Sequence, residues 1–573
     1  MDKLNNNIDK ENRRSKNFLK NHVNSIIFLL LLTVIVSLIT YYRVLVQMQI
    51  GPVSDSFDFL SNALVFAGQG IGYSDLFRPP LFPFIISLFF RLGYIFSSTI
   101  FALDGLIFIF GVIGMFMLLK LQFNNIESFL GGLLYATFPI VLSLLGFGFS
   151  DLASVSFTIW TFYFLILAVK KDSKFFYLTF PFFILAFLTR YNNVLMIFPI
   201  LLYLTINRGR INFKNLYIGI FASILTILPV LILFYEKFGN IIAPFISSGS
   251  LSTSFSSTIE SNAYNPNVLF FIQKLPEFLG VQSFIILLIV ALGVVLYLFK
   301  RFMGKNQNKN NSIKDLDLKN KNTKIKLILV VLFGIIFIGS FGRTVYLVSE
   351  LLFFVIAYIF YDLTKNRNLT YYDVYIMVLA WFMAFFIFQS VFVFKTNRYF
   401  LPMAPPLAYF KILGLSEISK IIKLKFRNMN VTFPIIAIIL TSIILLSTAS
   451  LIPEIVPANK DIIVQNEQIE LASQWFVSYD PNYKNQNIYS DIWPNFSWYL
   501  KTNVKMIPTL SAYVANPDGI KNYTINQADM TAFNNYLITN NADYYLSDIP
   551  GLNLKSYTSI KDFGNVTIYK KKT

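Results

Sequence analysis

The chemistry this sequence can offer rests on nine charged residues set beside apolar runs: Asp55, Asp58, Asp75, Arg78, Asp151, Arg190, Arg343, Lys395 and Arg398. Asp55 and Asp58 stand three apart and share one face if the segment is helical. Such a pair either holds a divalent cation or leaves one acid free as a general base. A helix N-cap at Ser54 or Asp55 is the plainer use of the same residues. Asp151, in Phe149-Ser150-Asp151-Leu152, heads a later apolar run, where it serves equally as a second acid of a site or as a cap favoured by the helix dipole. Arg398 precedes Tyr399 and a proline-rich stretch ending in Pro405-Pro406; a guanidinium at the level of lipid head groups suits a phosphate or pyrophosphate. The alternative is an interfacial anchor. With no cysteine and a single histidine, His22 in the basic N-terminal stretch, thiol chemistry, disulfides, histidine catalysis and histidine-bound zinc are excluded.

The elements that must position these residues are membrane spans. A chain of 573 residues that is 55% hydrophobic and 17% aromatic, with a mean hydropathy of +0.58, is too apolar for a water-soluble globule. The net charge of +18 does not point to nucleic acid, because the Lys and Arg residues gather in short loops beside apolar runs rather than on one basic face. The first run, Ser25 to Leu45, is too long for a signal-peptide core and reads as a retained span. The basic tail of residues 1–22 keeps its start cytoplasmic. Twelve further runs between residues 98 and 449 bring the expected total to about thirteen spans.

The stretch Pro79 to Phe96 decides the orientation of everything after it. If it lies along the external surface, the cytoplasmic loops hold 22 Lys and Arg and the external loops six. Counting it as a span inverts that ratio against the positive-inside bias. It is therefore expected to be a juxtamembrane helix, started by Pro79, Pro80 and Pro83. The long external loop from Glu236 to Gly280 is expected to act as a lid, and the Asn- and Lys-rich loop from Lys300 to Lys326 as a solvated connector.

Past Ser450 the composition turns polar and no spanning run follows. Residues 1–22 thus form a cytoplasmic tail, 23–450 a transmembrane domain and 451–573 an external domain in which strand and helix alternate as a small α/β layer. No Gly-rich phosphate loop follows any of its strands. Trp493, Trp498 and Tyr499 offer aromatic faces that stack on sugars, with a packed core as their plainer use.

The order of these parts resembles the GT-C superfamily of membrane glycosyltransferases, in particular the branch of protein O-mannosyltransferases and aminoarabinose-to-lipid-A transferases. The resemblance is carried by Asp55 with the following Ala63 and Gly68 to Gly72, by Arg78-Pro79-Pro80-Leu81, and by Ser150-Asp151. Thr189-Arg190-Tyr191 and Arg398-Tyr399-Phe400-Leu401-Pro402 complete it. It implies a polytopic helical catalytic domain of the GT-C kind, integral to the cell membrane, with its site on the external face. It also implies a sugar donor on a polyprenyl phosphate and an external protein, glycan or lipid acceptor, with inversion at the anomeric carbon. Asp55 would be the first-loop base or acceptor-orienting acid, with Asp58 as its rival and Asp151 as a second acid. Arg398, Arg190 and Arg78 would hold the donor phosphate. Any metal, held by Asp55 and Asp151, would be Mg or Mn, because only oxygen ligands are present. Relatives often carry adjacent acids in the first loop, whereas here Ser56 follows Asp55 and Arg78 stands where relatives have Lys or His. The competing readings are a lipid-linked-saccharide transporter or flippase, which calls for internal repeats or paired broken helices at midplane, and a scaffold displaying the C-terminal domain.

Overall fold

The structure, a computed structural model, describes residues 2–69, 78–246, 265–288, 291, 320–365, 371–421, 424–426, 429–507, 527–549 and 552–572, without the side chains of 2–22, 421, 429–430 and 527–529. The middle of the expected lid (247–264), Asp75, and residues 300–319 of the connector lie outside those residues.

Helix α1 (Asp2–Ile50) carries the basic tail and the first span without a break. Then follow α2 (Asp55–Phe66), α3 (Leu81–Arg91), α4 (Ser97–Lys120), α5 (Asn125–Ala136), α6 (Pro139–Leu144), α7 (Ser150–Lys170), α8 (Phe176–Thr189), α9 (Ile197–Ile206) and α10 (Phe213–Phe238). Beyond the loop come α11 (Lys321–Ser340), α12 (Tyr346–Thr364), α13 (Tyr372–Val391), α14 (Ala404–Ile421) and α15 (Thr432–Leu451). Among the described residues eight helices are long and apolar enough to cross a bilayer, and three apolar helices are shorter. Several of the thirteen expected spans are thus shorter or broken. The run at 127–147 is split at Pro139, which has no N–H to give the helix and drives Phe138 to extended backbone (ψ 134°). The run at 399–415 begins as a 3-10 turn, Asn397–Met403, before α14.

Helix α3, within the stretch expected to lie along the membrane surface, is short. At 11 residues it is about 16 Å long, roughly half a hydrocarbon core. Its Phe82, Ile86 and Phe90 pack with Phe57, Leu60 and Leu64 of α2 and with Ile100 and Phe101 of α4 in a separate apolar cluster. The larger core joins α4, α5, α7, α13 and α14, with Trp381 stacked on Phe162 at 4.5 Å. Close approach of α4 to α7 depends on Gly111, where a Cβ would lie 2.2 Å from the Ser156 hydroxyl.

The C-terminal region contributes α16 (Lys460–Tyr479), β1 (Ile488–Ser490), α17 (Trp493–Leu500), β2 (Lys505–Met506), α18 (Gln527–Thr539), β3 (Tyr544–Ser547), β4 (Tyr557–Phe563) and β5 (Val566–Lys571). Its five strands run in the order β2-β1-β3-β5-β4, parallel across the first three and antiparallel thereafter. The alternation read from the sequence is the alternation observed.

Candidate active site

Helix α2 begins abruptly. Gly51 (φ 85°) and Ser54 (φ 43°) turn the chain out of α1 through left-handed backbone, a conformation that a serine adopts at some cost. Ser54 occupies the N-cap position and makes no side-chain capping bond. The cap-like work falls to Ser56, whose hydroxyl donates to the Val53 carbonyl at 2.7 Å and accepts from the Val53 N–H at 2.5 Å. Asp55 is thereby released from capping, and both it and Asp58 stand in the first turn, where the helix dipole favours a carboxylate.

Both acids meet arginines from distant parts of the chain. Asp55 Oδ2 accepts from Arg398 Nη1 at 2.5 Å, and its Oδ1 lies 3.3 Å from Arg78 Nη1. Arg78 Nη2 reaches Asp58 Oδ2 at 2.7 Å, so one guanidinium bridges the two carboxylates. Burial alone would raise the Asp55 pKa, but the charges of Arg398 and Arg78, the Arg398 hydrogen bond and more weakly Arg190 outweigh it and hold the carboxyl well below its ordinary value.

A second pair lies alongside. Asp151, at the second position of α7, pairs with Arg190, which leaves the end of α8 on extended backbone. Tyr399 joins the two groups: its ring faces Arg190 at 5.0 Å and Arg398 at 5.7 Å, while Phe149 faces Arg398 at 5.2 Å. All six residues expected from the sequence therefore converge, as three carboxylates against three guanidiniums. The site is neutral, with every charge answered.

Two residues that the sequence reading passed over hold this arrangement from beneath. Asp104 is fully buried within α4, and its Oδ2 accepts from the backbone N–H of Gly146 at 2.9 Å and of Gly148 at 3.4 Å. Arg43, also fully buried, donates to the carbonyls of Leu142 (3.0 Å) and Ser143 (3.2 Å) and to Gln47 (3.0 Å). Together they pin the end of α6 and the 145–149 loop that leads to Asp151. Gly146 and Gly148 sit at φ 77° and 75°, where both N–H groups can point at one oxygen. The available signal was an ionisable residue inside an apolar run, which is expensive in a membrane and rarely idle.

Not every charged residue joins. Arg343 remains exposed at the end of α11. Lys395 donates to the carbonyl of Asn265 at 2.6 Å, with burial pulling its pKa down to about 8. The residues present do not fit a divalent cation in this arrangement. Among the described residues no three acidic or histidine side chains are grouped so as to hold a metal ion, both Asp55 oxygens face guanidinium nitrogens, and Asp151 is taken by Arg190. A cation would have to displace an arginine.

Residues 77–233 match the family described as dolichyl-phosphate-mannose-protein mannosyltransferase. A search by sequence against curated proteins finds no match. Among solved structures, the chain is similar to ArnT from Cupriavidus metallidurans bound to undecaprenyl phosphate, at 11% identity and TM-score 0.54 over 94% of this chain and 97% of that one. The apo form of the same protein aligns over the same shares at TM-score 0.51. The oligosaccharyltransferase of Archaeoglobus fulgidus, tethered to an acceptor peptide, matches at 13% identity and TM-score 0.52 over 91% of this chain and 69% of that one. The chain thus belongs to the class of polytopic membrane proteins by its helices and shares its fold with ArnT and the archaeal oligosaccharyltransferase. Within that class, the family match runs from the residue before Arg78 into α10 and takes in Asp151 and Arg190.

Proposed function

We propose that the protein transfers a sugar from a polyprenyl-phosphate donor to a hydroxyl of an external protein, glycan or lipid. The observation that carries this reading is Asp55, held between Arg398 and Arg78 at the head of α2. The likeness in fold to an enzyme bound to undecaprenyl phosphate supports the donor class.

The balanced charges suggest how the step is prepared. A lipid phosphate entering a neutral site must take its cations from carboxylates already using them. Arg398, flanked by aromatic faces and Arg190, is the natural partner, since a guanidinium meets phosphate through two parallel hydrogen bonds. Once Arg398 turns to the phosphate, Asp55 loses its largest stabilising contact while remaining mostly buried. Burial is then opposed only by Arg78 and more weakly Arg190, so the carboxyl pKa rises and the carboxylate becomes a better base.

In the transfer itself the acceptor oxygen attacks the anomeric carbon from the face opposite the phosphate, and its proton passes to Asp55. The carbon–oxygen bond to the phosphate breaks, and the electron pair leaves with the polyprenyl phosphate. The leaving group is a stable anion and needs no general acid; the arginines stabilise the charge that develops on it. Asp58, tied to Arg78, keeps that arginine in place and is the alternative base.

The test is transfer from a radiolabelled polyprenyl-phosphate sugar in membranes holding Asp55→Asn or Asp58→Asn. Asp55→Asn is expected to abolish transfer and Asp58→Asn to reduce it. Wild-type rates in both would sink the mechanism. The transporter reading has no corresponding support, because the paired charges of the site lie at helix ends rather than at midspan.

A further inference from the structure

The C-terminal sheet region has no role in the reaction as described, yet it touches the chain just before and just after Asp55. Asn466 of α16 is 8% exposed, and its side-chain amide donates to the carbonyls of Ile50 (3.1 Å) and Pro52 (3.0 Å). Those carbonyls bracket Gly51, at the turn that launches α2. A Cβ at Gly51 would lie 2.9 Å from the same amide nitrogen, so glycine and asparagine fit one another. Further along α2, Phe57 packs on Tyr499 with ring centroids 6.0 Å apart, and the Ser61 hydroxyl donates to the Pro494 carbonyl at 3.4 Å. Trp498 stacks on Phe90 of α3 at 6.0 Å and belongs to the apolar cluster beneath both surface helices.

These contacts have a direction. The aromatics that would offer stacking faces to an acceptor sugar are spent inward: Trp498 is 5% exposed and Tyr499 lies against Phe57. Both residues come from α17, which presents them to α2 and α3. Asn466 adds a polar contact that only a donor can make, since both partners are carbonyl oxygens. Two left-handed residues, Gly51 and Ser54, leave the turn with little intrinsic preference for the conformation it adopts. Something outside the turn must select it.

We propose that the C-terminal region positions the Asp55 helix, with Asn466 as the positioning residue that fixes the Gly51–Ser54 turn and thereby the placement of Asp55 against Arg398. The role rests on the transfer reaction proposed above, and it assigns the region to the catalytic step rather than to capture of the acceptor. Misplacing a reacting group by about 1 Å costs roughly 100-fold in rate, whereas donor affinity, set by the arginines, is left alone.

The test pairs kinetics with a measurement independent of activity. Asn466→Ala and Asn466→Asp are purified alongside Asp55→Asn, and each is assayed for transfer and for hydrogen exchange of the 51–66 amides. The expected result for both Asn466 variants is a fall in kcat of about 10- to 100-fold, with the KM for the polyprenyl-phosphate donor and for the acceptor within about twofold of wild type. Faster exchange should be confined to 51–58, and Asn466→Asp, which cannot donate, should be no better than Asn466→Ala. Unchanged kcat together with unchanged exchange overturns the inference, even while Asp55→Asn is inactive and the transferase reading stands. A rise in acceptor KM with kcat preserved also overturns it and makes the region an acceptor-binding surface. If wild-type protein shows no transfer, the reading of the reaction fails, and faster exchange at 51–58 in the Asn466 variants still supports the positioning contact.

Discussion

At the scale of residues, the decisive fact is that Asp55 is doubly held. A general base contributes about 10²- to 10⁴-fold to rate, so Asp55→Asn should lower kcat by that order while donor KM, with Arg398 released, does not rise, measured at saturating and limiting donor. Arg398→Ala should do the reverse and raise donor KM before it affects kcat. The arginines also set the pH dependence. In the free enzyme the Asp55 pKa is depressed, so the carboxylate is already ionised across the neutral range and kcat/KM should show no acid limb above about pH 4. In the donor complex Arg398 is engaged elsewhere, and the acid limb of kcat should move to higher pH. Coincident limbs in the two profiles would show that donor binding leaves the Asp55 pair intact. All six residues were legible as candidates, because charges beside the apolar runs are few, although caps and interfacial anchors were open as plainer uses of the same residues. Their pairing was not: sequence order places Asp55 with Asp151 as easily as with Arg398, and only the packing of α7 against α8 assigns Asp151 to Arg190.

At the scale of elements, the site depends on places where helices stop. Asp55, Asp151, Arg190 and Arg398 all stand within two residues of a helix terminus or in the turn before one. Composition announces a span far better than it announces a break. The runs holding Pro139 and Pro402 read as spans, and the loop at 145–149 gave little warning, being apolar and glycine-bearing like the spans around it. What shapes it is Asp104, through two backbone N–H groups. Asp104→Ala should leave those donors buried and unsatisfied, costing about 1–3 kcal/mol for each. The expected outcome is earlier thermal unfolding of purified protein together with loss of transfer, since Phe149 and Asp151 hang from the same loop. Gly148→Ala should behave similarly without removing any charge, because its φ of 75° disfavours a side chain and its Cβ would meet Ile100 at 2.9 Å. Wild-type stability in Gly148→Ala would show that the loop can be reshaped without cost.

At the scale of the molecule, contact geometry and charge counting bear on one question. Loop charges place the tail of α1 in the cytoplasm, and α1 then crosses once before Gly51. The C-terminal region grips that crossing point through Asn466 and packs Ile452 and Ile455 on Val46 and Ile50. Site and C-terminal region therefore share a side of the membrane, whichever side that is, and the positive-inside count predicts the external one. The chain has no cysteine, so single cysteines report cleanly on the question. Asn485→Cys, exposed beyond α16, should react with a membrane-impermeant maleimide in intact cells. Lys171→Cys, exposed at the opposite end of α7 from Asp151, should react only after the membrane is permeabilised. Labelling of both in intact cells would mean that an odd number of crossings separates Asp151 from the Asn466 contact. The shared-side argument forbids that, because Asp151 and Asp55 meet through Arg190, Tyr399 and Arg398 in one neutral cluster. The reverse pattern, Lys171→Cys labelled and Asn485→Cys protected, would keep the site and the C-terminal region together and turn the whole protein over, placing the transfer on the cytoplasmic face.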